Sequence, residues 1–169
     1  MPEQLQDLLE SNGQFAAGFG QGELAMPPAR HLAIVTCMDA RLEPLAFLGL
    51  HLGDAHVIRN AGGRVTEDAL RSLVISERLL GTDAILVIHH TDCGMLTFTD
   101  EQLRDRVKDD LGPEAHAVAS GIAFLPFADL EASVRDDVAT IGASPLIPSG
   151  IPVYGLIYDV RTGRLQPVT

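Results

Sequence analysis

Apolar residues along this chain fall into short runs separated by helix-like stretches. His31-Leu32-Ala33-Ile34-Val35-Thr36 leads to Cys37, Ala55-His56-Val57-Ile58 to Arg59, and Ala84-Ile85-Leu86-Val87-Ile88 to His89 and His90. Runs that are apolar on both faces suit central strands of a parallel sheet covered by helices on both sides. Val153 to Val160 reads as a fourth strand, and residues 164–168 pair with it across the Thr162-Gly163 turn.

The gaps between the runs carry helical spacing. Thr66 caps a helix through Leu80, with Ala69, Leu70, Leu73, Val74 and Leu80 on its buried side, and Gly81 stops it. Thr99 with Gln102 reads as a capping box for a helix to Leu111, ended by Gly112-Pro113. Asp129 caps a third helix carrying Leu130, Val134, Val138 and Ile141, with Gly142 at its end. Residues 2–20 form one or two short helices with Leu5, Leu8, Leu9 and Phe15 on one side, broken at Gly13. Gly18, Gly20 and Gly22 follow no strand, so they read as a flexible connector rather than a phosphate-binding loop, and Pro27-Pro28 opens the ordered part. Strands alternating with helices predict an α/β fold with a mainly parallel central sheet flanked by helices. The expected organisation is one domain over residues 1–169, with 1–28 as an N-terminal helical arm.

Composition narrows the function. At 169 residues and 46% hydrophobic, the chain is long enough for one sizeable core. A net charge of −11 argues against nucleic acid, which needs a basic surface. No run of apolar residues is long enough to span a membrane. The N-terminal residues lack the basic start and apolar core of a signal peptide, so a cytoplasmic location is expected.

Three strands end at three unusual clusters, and the carboxyl ends of strands in an open parallel sheet are where sites assemble. Cys37 and Cys93 are the only cysteines. A disulfide between them would serve little purpose in a reducing compartment and would leave Asp39, Arg41, His90 and Asp92 without a role. Buried core cysteines are the other alternative, and His90 at a strand end beside Cys93 argues against it. With His90 three residues before Cys93, they offer two thiolates and an imidazole to zinc. Three protein ligands leave the fourth tetrahedral position open, as at a catalytic site. His89 is the rival ligand: successive strand side chains point to opposite faces, so both histidines cannot reach one metal, and spacing alone does not choose. His31, His51, His56 and His116 read as surface or structural.

Asp39 and Arg41 lie two apart on the turn after the first strand. Beside a metal, the guanidinium can grip the carboxylate in a bidentate way, keep it ionised and aim its free oxygen at hydroxide on the metal. Without Arg41, Asp39 could itself occupy the open metal position. In Arg59-Asn60-Ala61-Gly62-Gly63 the glycines make the turn into the next helix, and the small residues leave room for a small substrate.

Taken in order, C-x-D-x-R, R-N-A-G-G and H-T-D-C-G resemble the β-class carbonic anhydrases, with the likeness running from about His31 to the C-terminus. The stretches from Cys37 to Leu42 and from His89 to Phe98 together look like a small prokaryotic subgroup. The resemblance implies one zinc per chain on Cys37, His90 and Cys93, choosing His90 over His89. It also implies an Asp39–Arg41 dyad and reversible hydration of carbon dioxide to bicarbonate by zinc-bound hydroxide. A homodimer or higher homo-oligomer, formed by exchange of N-terminal helices, is implied as well. Related proteins with the same site hydrolyse carbonyl sulfide or carbon disulfide, which is the alternative activity. A zinc-binding scaffold without turnover is the remaining alternative, and the open position and intact dyad argue against it. The chain has no tryptophan, a residue that the regulatory bicarbonate pocket of some members uses, so that regulation is not carried over.

Overall fold

The structure, a computed structural model, describes residues 3–168. Pro2, where the predicted N-terminal helix starts, lies outside them, as do Met1 and Thr169 at the ends of the predicted domain. Five strands among the described residues form one sheet in the order β2-β1-β3-β4-β5. These are β1 (Leu32–Cys37), β2 (Ala55–Asn60), β3 (Ala84–His90), β4 (Val153–Tyr158) and β5 (Leu165–Val168). The first four pair in parallel, and β5 returns antiparallel along β4. Pro167 is tolerated in β5 because that strand is at the sheet edge, where a missing N–H costs no ladder bond.

Both β1 and β3 are central and almost wholly buried, as their continuous apolar runs predict. β2 differs from the expectation of a central strand: it lies at the edge and is only half-buried. Its polar His56 fits that position, with Nδ1 2.7 Å from Ser76 Oγ.

The helices are α1 (Glu3–Ala17), α2 (Pro44–Phe47), α3 (Glu67–Leu80), α4 (Asp100–Leu111), α5 (Pro113–Ala119) and α6 (Leu130–Ala143). α3 starts and stops as predicted: the Thr66 side chain accepts from Ala69 N–H, and Gly81 takes the left-handed conformation at φ 73°. The capping box of Thr99 and Gln102 is present at the start of α4. Gly112-Pro113 ends α4 as expected but also begins α5, since proline suits the first turn of a helix. Two other expectations are corrected. α1 runs unbroken through Gly13, because one glycine costs a helix only about 1 kcal/mol. Gly142 lies inside the last turn of α6, which ends at Ala143.

Ala33 and Val35 of β1 and Ile85 and Val87 of β3 share one sheet face, and Leu73 of α3 and Ile141 of α6 pack into the same cluster. The opposite face carries Ile34, Leu86 and Tyr154 in register, and Tyr154 is exposed. Every residue from Gln4 to Pro27 is also exposed, including Leu8, Leu9 and Phe15 of α1.

Glu77 of α3 stands out in this frame, because both carboxylate oxygens are buried without a hydrogen-bond partner. Burial pushes its pKa up, and nearby Arg78 only partly counters that. The folded state therefore holds this proton at pH values where the unfolded chain has released it. The penalty is absent below the ordinary carboxylate range, grows as pH rises from there to the raised pKa, and levels off above it. Glu77→Met is expected to raise the melting temperature by about 2–4 °C at neutral pH, for roughly 1 kcal/mol of relief. That gain should fade below about pH 4, which thermal melts across pH would reveal.

Candidate metal centre

The carboxyl ends of β1 and β3 bring Cys37 and His90 side by side, and the turn after β3 returns Cys93 to them. One ligand atom from each lies within 4.8 Å of the others, and all three residues are buried. Thiolates sit about 2.3 Å and imidazole nitrogens about 2.0 Å from a zinc ion, so one ion can bridge this cluster. Both cysteines are free thiols.

The orientation of His90 is fixed from its far side. Nδ1 lies 2.9 Å from the Thr91 carbonyl, which can only accept, so Nδ1 carries the proton and Nε2 keeps its lone pair. Nε2 is buried and has no hydrogen-bond partner. A buried, unpartnered nitrogen facing two thiols is an orphan that a metal ion would satisfy. The donor set, two soft thiolates and one imidazole, also suits zinc.

The two thiols interact directly with each other. A hydrogen bond from Cys93 pulls the Cys37 pKa down to about 4, while the same contact and burial push the Cys93 thiol up. Burial alone would lower the His90 pKa, but the facing Cys37 thiolate outweighs it and the net shift is upward. A divalent cation would take the place of the shared proton and let both sulfurs ionise.

His89 points the other way. Its Nδ1 is 2.8 Å from Ser133 Oγ on α6, and its Nε2 is 3.2 Å from the Gly63 carbonyl and 3.1 Å from Asp137 Oδ2. Asp137, itself buried, also has Arg64 Nε 2.8 Å away. That contact is a close ion pair without good hydrogen-bond direction, since neither atom has a well-aligned partner. The ring of His89 also stacks on Phe127. It is thus a core histidine that ties β3 to α6 and to the glycine turn. Sequence reading gave Asp137, Arg64 and Ser133 no part in this, because their partners lie dozens of residues away.

Asp39 and Arg41 are paired as expected. Arg41 donates from its backbone N–H and from Nε to Asp39 Oδ1, at 2.9 and 3.0 Å, and from Nη2 to Oδ2 at 2.8 Å. These hydrogen bonds hold the Asp39 carboxyl well below the usual carboxylate range. Asp39 Oδ2 lies 3.8 Å from His90 Nε2, so the ionised carboxylate borders the ligand cluster.

Arg59 donates to the carbonyls of Cys37 and Asp39, at 3.1 and 2.7 Å, and so braces the loop that carries both. Gly62 and Gly63 form a tight turn with φ of 79° and 70°. A Cβ on Gly63 would lie 2.8 Å from the backbone of Thr36 and Cys37, so only glycine lets this turn reach the end of β1. Ala61 and Gly62 join Cys37, Asp39, Cys93, Met95 and Phe98 around a cavity of about 410 Å³. The wall opposite the polar groups is small or apolar. One contact at the site had no place in the sequence reading: Asp92, within H-T-D-C, accepts a hydrogen bond from Arg41. An acidic residue inside a ligand-spaced motif was the only hint.

The family model described as Carbonic anhydrase matches residues 32–165. The chain is 45% identical over 163 residues to β-carbonic anhydrase 1 of Mycobacterium tuberculosis, covering 96% of each. It also resembles the solved carbonic anhydrase of Streptococcus mutans, at 48% identity and a TM-score of 0.93, covering 100% of this chain and 99% of that one. A carbon disulfide hydrolase of Saccharolobus solfataricus is 38% identical over 160 residues, covering 83% of this chain and 78% of that protein.

Proposed function

Because the chain belongs to the β-carbonic anhydrase family, we propose that it catalyses the reversible hydration of carbon dioxide to bicarbonate and a proton. One zinc ion per chain, on Cys37, His90 and Cys93, is the cofactor. The observation that carries this reading is the meeting of two buried thiols and an unpartnered imidazole nitrogen beside an ionised Asp39. When bound, zinc supplies Lewis acidity that makes a hydroxide nucleophile available near neutral pH.

The chain's own residues do the rest. Asp39 stays ionised because Arg41 supplies donors to both of its oxygens, leaving lone pairs to accept a hydrogen bond from the nucleophile and fix its direction. Arg41 also restrains Asp39 from swinging towards the ligands. Ala61, Gly62, Met95 and Phe98 offer a small, largely apolar wall that suits an uncharged linear substrate.

Hydrolysis of carbon disulfide or carbonyl sulfide is the second reading, favoured by the similarity to the carbon disulfide hydrolase. The higher identity to carbonic anhydrases over nearly the whole chain favours the first. Residues 1–28 serve as an arm of the zinc-enzyme domain, and the protein works as a homodimer or larger homo-oligomer. The exposed Leu8, Leu9 and Phe15 of α1, with exposed Tyr154 on the sheet face, are apolar groups that a second copy would cover. No helix among the described residues is long and apolar enough to cross a membrane. Paired free thiols at a metal site suit the reducing cytoplasm.

One purified, zinc-loaded sample tests all of this. Stopped-flow assays should show rapid carbon dioxide hydration, and a sulfide electrode should register little release from carbon disulfide or carbonyl sulfide. Light scattering on that sample should return a dimer or larger. Sulfide release without carbon dioxide hydration would reverse the two readings, and a stable, active monomer would remove the oligomer.

A further inference from the structure

Arg41 is held from two sides. Besides its bonds to Asp39, Nη1 donates to Asp92 Oδ2 at 2.8 Å, and Nη2 donates to the Asp92 carbonyl at 3.0 Å. The guanidinium therefore joins the loop that carries Cys37 to the loop between His90 and Cys93. Asp92 has φ of 57°, in the left-handed region that non-glycine residues seldom adopt, and in this conformation its carboxylate and its carbonyl both meet the same side chain. An ion pair this exposed, with Arg41 at 47% and Asp92 at 65%, adds little stability. Its effect is directional instead. A planar fork fixed at two edges cannot turn, whereas one fixed only by Asp39 turns together with Asp39.

We infer that Asp92 is a positioning residue that latches Arg41 and thereby keeps Asp39 beside the metal position rather than on it. Asp39 Oδ2 is already 3.8 Å from His90 Nε2, so releasing the pair brings the carboxylate into competition for the open coordination site. The inference rests on the proposed role of Asp39 and Arg41, and it adds a third member on the other ligand loop.

Two substitutions separate geometry from folding. Asp92→Gly removes the carboxylate and suits the left-handed backbone; Asp92→Asn keeps an acceptor oxygen and tolerates that backbone. Asp92→Gly should keep its metal content and melting temperature but lower kcat for carbon dioxide hydration about tenfold, with KM little changed. That loss is smaller than the ~10²-fold that a 1 Å misplacement can cost. In the cobalt-substituted protein, its visible spectrum should change and azide should bind several-fold more weakly, because Asp39 now competes for the fourth position. Asp92→Asn should recover most of both properties. Adding Asp39→Asn to Asp92→Gly should restore azide affinity, since the competing carboxylate is gone; a merely structural defect would not be reversed this way.

Parent-like kcat and an unchanged cobalt spectrum in Asp92→Gly would overturn the inference, as would Asp92→Asn proving equally impaired. Asp39→Asn and Arg41→Ala measured alongside distinguish the two levels. If both hydrate carbon dioxide at the parent rate, the dyad reading fails and the latch with it. If both are impaired while Asp92→Gly is not, only the latch fails.

Discussion

Replacing Cys93 with serine is expected to empty the metal site and to remove activity by about 10³-fold or more. Serine offers an alcohol whose proton a zinc ion removes far less readily than a thiol's, and a hard oxygen where a soft sulfur is preferred. Cys93 is buried among Leu42, Met95 and Phe98, and serine is slightly smaller, so the fold should survive the change. The remaining Cys37 thiolate and His90 make a two-point site, too few to hold zinc against dilution. Elemental analysis of purified Cys93→Ser should give well below one zinc per chain, and circular dichroism should match the parent. A full complement of zinc would refute Cys93 as a ligand. His90→Ala is expected to behave alike. Full zinc in that variant would transfer the role to His89, which would first have to leave Ser133, the Gly63 carbonyl and Asp137.

Asp39→Asn is expected to keep zinc and lose about 10²-fold or more in carbon dioxide hydration, within the range for loss of a positioned proton acceptor. The amide has nearly the shape of the carboxylate, but one of its two ends becomes a donor. Arg41 presents donors to both Asp39 oxygens, so the NH2 of asparagine would face an N–H whichever way it turned. Arg41→Ala should lose a comparable factor for a different reason: it frees an intact carboxylate to move towards the ligands. The pair of variants should differ in azide affinity of the cobalt protein, weakened in Arg41→Ala but not in Asp39→Asn. Parent-level rates in either variant would deny the dyad a catalytic role.

The periodicity of the chain carried most of the secondary structure. Apolar runs located β1 and β3, because strands buried on both faces cannot afford polar interruptions, and side-chain capping at Thr66, Thr99 and Asp129 located three helix starts. Local rules went astray where a residue's cost was small or its role double. One glycine was too weak to break α1, and Gly112-Pro113 both closed one helix and opened another. Strand order was not available locally, since whether β2 lies inside or at the edge depends on which neighbours pair with it.

For the site, the sequence by itself determined the residue types and their spacing: two cysteines, a histidine three residues before the second, and an acid and base two apart. Those are short-range facts, and chemistry follows from them wherever the chain places them. Strand alternation also dictated that His89 and His90 face opposite ways, and the motif resemblance pointed to His90. The physical reason, however, lies in the packed sheet, which turns one face to the thiols and the other to α6. The same is true of Asp92, which meets Arg41 across 51 positions of sequence, and of Gly63, whose need for a missing Cβ exists only against the end of β1. Contacts of that kind depend on directions and distances between elements, and these are fixed only once the hydrophobic core has set the register of the sheet.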